Sequence, residues 1–264
     1  MSASVASVVR DLPRIYWLET KYELLKTLRL PAYVVPTIAF PLVFYVFFGI
    51  GFGNGKMAGA VNLATYLIAS YGTFGVMGAS LFGLGAGVAV ERGQGWMQVK
   101  RTTPMPLGAY FTAKIALAVL FSGIIAVLLF SLGFLFAGVR LAPAAWPLLL
   151  LVLLLGAIPF CALGLIVGYL AGPNSAPAVV NLIHLPLAFA SGLWIPLEAL
   201  PRFFQGLAPF LPPYHLAQLA LSVVSRGAMG GSVLQHVAAL AGFTALFLLV
   251  AFAAFRKDEG KTYG

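Results

Sequence analysis

Charged residues are scarce in this chain of 264 residues. They make up 9% of the sequence, against 61% hydrophobic residues, and the mean hydropathy is +0.98. This composition excludes a soluble globular domain, because such a domain needs many more charged residues to cover its exterior. It predicts a protein that crosses a membrane several times.

Cysteine is almost absent, which excludes a disulfide framework within the chain. The single cysteine, Cys161, lies in an apolar run and is most simply a small packing residue. The first thirty residues also lack the short basic start, apolar core and small-residue cleavage site of a secretory signal. We therefore expect the first apolar run to remain in the mature protein.

The side chains that catalysis usually requires are also few. None of the seven acidic residues lies centrally in an apolar run, which argues against a proton relay or a cation-driven transporter. The three histidines, His184, His215 and His236, lie on separate segments without zinc-ligand spacing, and no paired nucleophile and base is visible. We expect no metal and no cofactor on this chain. An intramembrane enzyme or a secondary transporter remains the alternative of another class.

Nucleotide-binding loops are incomplete. A phosphate-binding loop has the pattern G-x-x-x-x-G-K-[S/T], but Ile50 replaces the first glycine before Gly55-Lys56, and methionine follows. Near the C-terminus, Phe255 stands at the same place before Gly260-Lys261. Energy for any uphill work must therefore come from a partner.

Long uncharged runs fill most of the sequence. Roughly 20 apolar residues can cross a bilayer, and runs without alternation favour helices. Within the second run, Ala79, Gly83 and Gly87 have the four-residue spacing that allows close helix packing. We predict an all-α integral membrane protein with six transmembrane helices at residues 31–53, 61–90, 112–138, 145–171, 176–197 and 231–255.

Basic residues are distributed unevenly between the two sides that this topology defines. With both termini in the cytoplasm of a bacterial cell, twelve lie inside and four outside, which is the usual bias of inner-membrane proteins. Topology thus explains the net charge of +9, and we expect no nucleic-acid partner. The inner residues are Arg10, Arg14, Lys21, Lys26, Arg29, Arg92, Lys100, Arg101, Lys114, Arg256, Lys257 and Lys261; the outer ones are Lys56, Arg140, Arg202 and Arg226.

Two segments outside the spans are unusually apolar. Residues 10–30 carry apolar side chains at helical spacing, which predicts either an amphipathic helix on the inner membrane surface or a cytosolic helix packed on a partner. Residues 198–226 are broken by prolines yet rich in phenylalanine. They predict either a re-entrant helical hairpin in the outer leaflet or a plain interfacial loop.

Polar and aromatic residues mark two of the spans. His184 lies in the middle of the fifth span with Asn181 three residues before it, so the pair either joins helices by hydrogen bonds or lines a substrate path. In the first span, Phe40, Phe44 and Phe48 recur at every fourth residue. They form either a lipid-facing surface or the lining of that path.

Several segments resemble the type-2 ABC transporter permease family, the membrane half of ATP-driven exporters. The match begins with Glu91-Arg92-Gly93 after the second span and continues through Thr103-Pro104 to Lys114. It recurs at S-G-L-W-I-P-L-E-A-L-P-R-F-F, residues 191–204, and at the Pro-Pro-Tyr of 212–214. Together with the six spans and the amphipathic start, the resemblance covers almost the whole chain.

The resemblance implies a transport subunit without catalysis of its own. Residues 91–111 would form a cytosolic coupling segment on a separate ABC ATPase subunit, which would bind the ATP and magnesium, and two permease copies would form a homodimer. Glu91 and Arg92 are expected to form a salt bridge to the amphipathic helix, and anchoring at the lipid headgroups is the alternative. The coupling residues are Glu91, Arg92, Trp96, Met97, Val99, Lys100 and Arg101.

The sequence indicates the chemical class of the transported substrate but not its identity. Because the spans lack acidic groups, we expect an amphiphilic drug or lipid-like substrate rather than a strongly cationic one. A polysaccharide or lipid-linked glycan is the alternative cargo within the same family. We expect an outer gate formed by Glu198, Phe203, Phe204 and Tyr214.

Overall fold

The computed structural model describes residues 2–53, 56–58, 61–103, 105–225 and 231–261, with backbone alone at 2–10, 101 and 259–261. These residues fold almost entirely into helices. A two-stranded antiparallel ribbon pairs β1 (Met57–Ala58) with β2 (Val61–Asn62). The helices are α1 (Ser2–Leu28), α2 (Pro31–Gly51), α3 (Leu63–Gly93), α4 (Trp96–Arg101), α5 (Leu107–Leu135), α6 (Ala145–Leu170), α7 (Ala176–Ala190), α8 (Arg202–Phe210), α9 (Pro212–Val224) and α10 (Val233–Lys261).

Five of these helices, α2, α3, α5, α6 and α10, are long and apolar enough to cross a membrane. Helices α8 and α9 reach the required length only together, and they meet at an angle of 91°. The protein is therefore an all-α integral membrane protein, as the composition predicts. Helix α5 begins at Leu107, five residues before the predicted start of the third span.

The fifth predicted span, residues 176–197, is shorter than expected. Helix α7 ends at Ala190 after 15 residues, which corresponds to about 22 Å against about 30 Å of hydrocarbon. Gly192 follows with a φ of 74°, a left-handed conformation that ends the helix. The chain then makes a short 3₁₀ turn, Leu197–Ala199, before α8.

Helix α3 lies at the centre of the fold. Every residue from Ala64 to Ser80 is buried, because α3 packs against α2, α5, α6 and α9. Helices α2 and α10 lie at the periphery, and most of their surface is exposed. Residues 81–86 of α3 form wide π-helical turns that pack against α6 and α7.

The two glycines in the predicted row of small residues on α3 face side chains of neighbouring helices rather than their backbones. A Cβ atom on Gly83 would lie 3.3 Å from the Tyr33 hydroxyl of α2, and one on Gly87 would lie 3.6 Å from Nζ of Lys114 on α5. The close backbone approach is between α3 and α6 instead. There, a Cβ atom on Gly168 would lie 2.8 Å from the carbonyl oxygen of Leu84.

This contact predicts a cost for the smallest possible side chain at residue 168. Gly168→Ala should lower the stability by about 1–3 kcal/mol, because the added methyl group overlaps a backbone atom that cannot rotate away. Gly242→Ala on α10 is the control, since its added Cβ has no atom within 4 Å and alanine favours helix. Thermal unfolding of the purified variants measures both, and equal melting temperatures would contradict the packing described here.

Candidate functional site

The polar residues of the helix bundle collect at one end, which we call the basic end: residues 11–30, 91–114, 171–175 and 256–258. Helix α1 runs alongside α5 there, α3 ends, α5 begins, and α6 and α10 finish. Three helices of this end each bring a charged side chain into the protein interior. They are α1 with Glu23, α3 with Glu91 and α5 with Lys114.

These side chains form one hydrogen-bonded group, which we call the charge cluster: Glu23, Lys26, Glu91, Tyr110 and Lys114. The Nζ atom of Lys114 lies 2.6 Å from Oε1 of Glu23 and 2.7 Å from Oε1 of Glu91. Lys26 bridges the same two carboxylates, with 2.7 Å from its Nζ to Oε2 of Glu23 and a further ion pair to Glu91. The hydroxyl of Tyr110 donates to Oε2 of Glu91 at 2.7 Å.

Because the charge cluster is buried, the loss of any one of its charges should strongly lower the stability of the fold. Lys114 is 4% exposed and Glu23 is 6% exposed, so neither charge is stabilised by water. Two carboxylates and two ammonium groups balance within the cluster, and removing one member of a buried set costs about 3–5 kcal/mol. At the rim, burial disfavours the Lys26 ammonium, but Glu91 and Glu23 outweigh it and raise the pKa of Lys26. The cluster therefore fastens α1 to both α3 and α5.

Helix α1 is oriented with its acidic face inward and its apolar face outward. Glu23 is buried against the bundle, whereas Trp17, Tyr22, Leu25 and Leu28 are exposed. The segment predicted to be helical over residues 10–30 is part of helix α1, which begins earlier, at Ser2, and ends at Leu28. Its exposed apolar side chains form a surface suited to lipid.

Arg92 does not share the partner of Glu91. Its guanidinium donates to the carbonyl oxygens of Tyr169 and Ala171 at the end of α6, the latter at 2.9 Å, and lies 3.4 Å from Oδ1 of Asp258 on α10. The expected salt bridge to α1 therefore exists for Glu91, but the prediction for Arg92 is wrong. Adjacent residues of a helix point about 100° apart, so the two side chains face different neighbours.

The short helix α4 presents two apolar side chains outward. Trp96 is 53% exposed and Val99 is 54% exposed, whereas Met97 is 8% exposed and belongs to the hydrophobic core. The expectation that Met97 faces a partner is therefore corrected, because α4 uses it to pack on the bundle. The side chain of Arg101 lies outside the described part of the chain.

Lys100 also differs from its predicted role. It forms an ion pair with Glu19 of α1, and its Nζ lies 4.4 Å from the ring centre of Tyr110. Both side chains of the ion pair are mostly buried. Lys100 therefore braces α4 against α1 and the charge cluster instead of projecting toward a partner.

The residues predicted for a substrate path separate into two groups. His184 is buried, donates from Nε2 to the carbonyl oxygen of Phe74 at 3.2 Å and stacks on the Phe74 ring with centres 4.4 Å apart. Asn181 is exposed, so it does not join His184 in one buried pair. The hydrogen bond to α3 is the joining role that the sequence left open for His184.

The phenylalanines of α2 form a continuous row of rings. The ring centres of Phe40 and Phe44 are 4.9 Å apart, and those of Phe44 and Phe48 are 6.0 Å apart. Phe40 and Phe48 are exposed, whereas Phe44 also packs on Tyr71 and Trp194. The row therefore lies at the protein surface with its middle ring turned inward.

Residues 198–225 place aromatic side chains and His215 beside His236 of α10. Phe203 is exposed, whereas Phe204 packs edge-on against Phe189 of α7. Glu198 is exposed on the 3₁₀ turn, and Tyr214 lies beside the rings of His215 and His236.

Two of the three histidines are in contact, which their spacing in the sequence did not predict. His215 on α9 donates from Nε2 to the Pro209 carbonyl oxygen at 2.9 Å, so its Nδ1 accepts from Nδ1 of His236 on α10, also at 2.9 Å. This pair joins α9 to α10. Within the described residues, no group of three or more histidine, cysteine or acidic side chains could hold a metal ion.

The sequence pattern also did not predict a site role for four members of the charge cluster: Glu23, Lys26, Tyr110 and Lys114. One signal was available, since Lys114 lies at the start of a long apolar helix, where a lysine requires a carboxylate partner. The identity of that partner was not available, because Glu23 is 91 residues away in the chain.

The apolar helices and the buried charge cluster that joins them define an all-helical integral membrane protein. The family model for the ABC-2 type transporter matches residues 15–225, and the chain belongs to that family. Membership implies association with an ABC ATPase subunit.

Two relatives agree with this assignment. YvfS of Bacillus subtilis (strain 168), which is named as a transport permease, is 30% identical over 237 residues, or 90% of this chain and 95% of that protein. Nodulation protein J of Sinorhizobium fredii (strain NBRC 101917 / NGR234) is 30% identical over 208 residues, or 75% of this chain and 77% of that protein. Both alignments cover most of either chain.

The charge cluster predicts a large effect for one lysine. Lys114→Met should lower the stability by about 3–5 kcal/mol, because it leaves the buried carboxylates of Glu23 and Glu91 short of a counter-charge. Lys21→Met, at an exposed position of α1, is the matched control and should change stability little. Unfolding of the detergent-solubilised variants provides the measurement, and indistinguishable transitions for the two would contradict the cluster.

Proposed function

We propose that this chain is the permease subunit of an ABC exporter that moves an amphiphilic, drug-like or lipid-like substrate out of the cytoplasm or the inner leaflet. A separate ATPase subunit binds ATP and magnesium and supplies the energy. The observation that carries the proposal is α4, whose exposed Trp96 and Val99 form an apolar contact for that partner.

Three attachments make α4 and the adjoining end of α3 suitable for transmitting movement. Lys100 joins α4 to α1 through Glu19, and Glu91 joins the end of α3 to α1 and α5. Arg92 joins the same end to α6 and α10. A displacement of α4 by the ATPase therefore acts on the spanning helices through buried ion pairs rather than through a flexible loop.

The orientation in the membrane is part of the proposal. The basic end carries most of the lysine and arginine residues, so it lies in the cytoplasm of a bacterial cell, with both termini inside the inner membrane. The apolar side chains of α1 then lie in the lipid boundary as an interfacial helix. Helices α8 and α9 form the outer re-entrant hairpin, with Glu198, Phe203, Phe204 and Tyr214 as its gate.

The substrate path requires a second copy of the chain. We infer a homodimer in which the exposed ring row of α2, together with α7, lines the passage between the copies. A polysaccharide or lipid-linked glycan is the second candidate cargo. One observation favours it: the exposed side chains of Phe40 and Phe48 at the two ends of the ring row are aromatic surfaces of the kind that sugar rings pack against.

The coupling role of α4 predicts a loss of communication without a loss of folding. The double substitution Trp96→Asp and Val99→Asp should abolish substrate-stimulated ATP hydrolysis in reconstituted membranes, because it places two charges in an apolar interface. The folded permease should persist, since both side chains are exposed. Stimulated hydrolysis is measured with the purified ATPase added to permease in nanodiscs.

The control variant places a charge at a neighbouring polar position. Gln98→Asp, exposed on α4 itself, tests the effect of charge alone. Gln98→Asp should retain most of the stimulation. Wild-type stimulation in the double variant, or transport by the permease alone, would refute the coupling role.

The proposed orientation predicts which cysteines can be labelled from outside. In a Cys161→Ala background, cysteines replacing Lys56, Arg140 and Arg202 should react with a membrane-impermeant maleimide on intact cells. Cysteines replacing Gln98 and Lys257 should react only after the membrane is opened. The reverse pattern would invert the topology and place α4 on the side that lacks ATP.

A further inference from the structure

Three of the buried polar groups that have no hydrogen-bond partner lie on α3 and in the turn after α7, in the half of the bundle away from the basic end. They are the hydroxyl of Tyr71 on α3, and the Ser191 hydroxyl and Trp194 Nε1 in the turn after α7. The nearby hydroxyl of Tyr66, by contrast, has an acceptor: it donates to the Gly192 carbonyl oxygen at 2.9 Å. Unpaired buried polar groups are rare and require an explanation.

Two of these groups belong to aromatic side chains that pack on Phe44. The ring of Phe44 lies 6.2 Å from that of Tyr71 and 5.8 Å from that of Trp194, measured between centres. Phe74 lies 6.0 Å from Trp194, and the Tyr66 hydrogen bond holds the turn that contains Ser191 against α3. The inward ring of the α2 row therefore packs on two aromatic side chains, Tyr71 and Trp194, whose buried O–H and N–H groups have no hydrogen-bond partner.

The chemistry of these groups selects the kind of ligand. Tyr71 and Ser191 offer hydroxyl groups and Trp194 offers an N–H that can only donate, so the missing partner is rich in acceptor oxygens. Residues 31–55, 57–90 and 176–197 contain no lysine, arginine, aspartate or glutamate. Lys56 and Glu198, which border these segments, are both exposed. An ionic headgroup buried among the segments would therefore lack a buried counter-charge, and a buried unpaired charge is costly.

We propose that Tyr71, Ser191 and Trp194 bind the uncharged, oxygen-rich headgroup of the transported amphiphile, a sugar-like group with several hydroxyls. Its apolar part lies along Phe40, Phe44 and Phe48. This inference rests on the proposed export function and names its substrate class. Entry of the headgroup requires α2 to move away from α3 near Phe44, since the three polar groups are buried in this conformation.

The test uses the permease–ATPase complex in nanodiscs and three amphiphiles with the same eight-carbon tail: octyl glucoside, octyl sulfate and octyltrimethylammonium. Octyl glucoside should stimulate ATP hydrolysis at the lowest concentration. Tyr71→Phe and Trp194→Phe should each raise its half-maximal concentration about three- to tenfold, the effect of one lost hydrogen bond. Tyr22→Phe and Trp17→Phe, the same changes at exposed positions of α1, should leave it unchanged.

The melting temperature of the Tyr71→Phe variant distinguishes a role of the hydroxyl in substrate binding from a role in helix packing. Tyr71→Phe should not lower the melting temperature, because the hydroxyl that it removes has no partner in the unliganded protein. A lower melting temperature with unchanged stimulation would assign the hydroxyl to a structural hydrogen bond and overturn the inference. Equal stimulation by the sulfate or the ammonium amphiphile would also overturn it.

The outcomes also distinguish this inference from the proposed function. If the amphiphiles stimulate hydrolysis, and the Trp96→Asp and Val99→Asp double variant abolishes that effect while Tyr71→Phe does not alter it, the exporter survives and the headgroup site fails. If none of the three amphiphiles stimulates the wild-type complex, the amphiphile export function fails and the headgroup site fails with it.

Discussion

The buried ammonium group of Lys114 is the constraint on which the basic end of this protein depends. An ammonium ion inside a helix bundle is tolerated only when carboxylates replace its water, and Glu23 and Glu91 supply them from two other helices. The requirement fixes the position of α1, which presents its charged face to the protein and its apolar face outward. The same carboxylates hold Lys26, so the four charges form one unit rather than two independent pairs.

Neighbouring residues extend this unit to the rest of the bundle. Arg92 directs its guanidinium to the end of α6 and to Asp258 on α10, while Lys100 connects α4 to α1. The end of α3 is consequently attached to most of the spanning helices by ionic or charge-assisted hydrogen bonds, which are short and strongly directional. Such attachments transmit displacement well, because stretching any one of them exposes a buried charge.

The opposite half of the bundle is held together by different forces. Rings of α2, α3 and the turn after α7 pack on one another, and His184 contributes one hydrogen bond to α3. Ring contacts lack the strong directionality of ion pairs, so helices can shift there at smaller cost. The two halves of the bundle thus differ in the forces that hold them together: buried ion pairs at the basic end and ring packing in the opposite half.

The sequence by itself determined the class of the protein and most of its helices. Long uncharged runs can only be helices in lipid, and the E-R-G segment after the second span marked α3's end and the surface helix beyond it. The predicted end of the fifth span differs from the end of α7, because the left-handed backbone conformation of Gly192 ends the helix early and is not visible in the hydrophobic pattern. Tertiary structure alone decided which side chains are in contact: Glu23 pairs with Lys114, and Arg92 binds the end of α6 instead of α1. It also decided that Met97 of α4 is buried whereas Trp96 is exposed. The physical reason is that helical periodicity specifies a face, whereas the partner on that face comes from a segment distant in the chain.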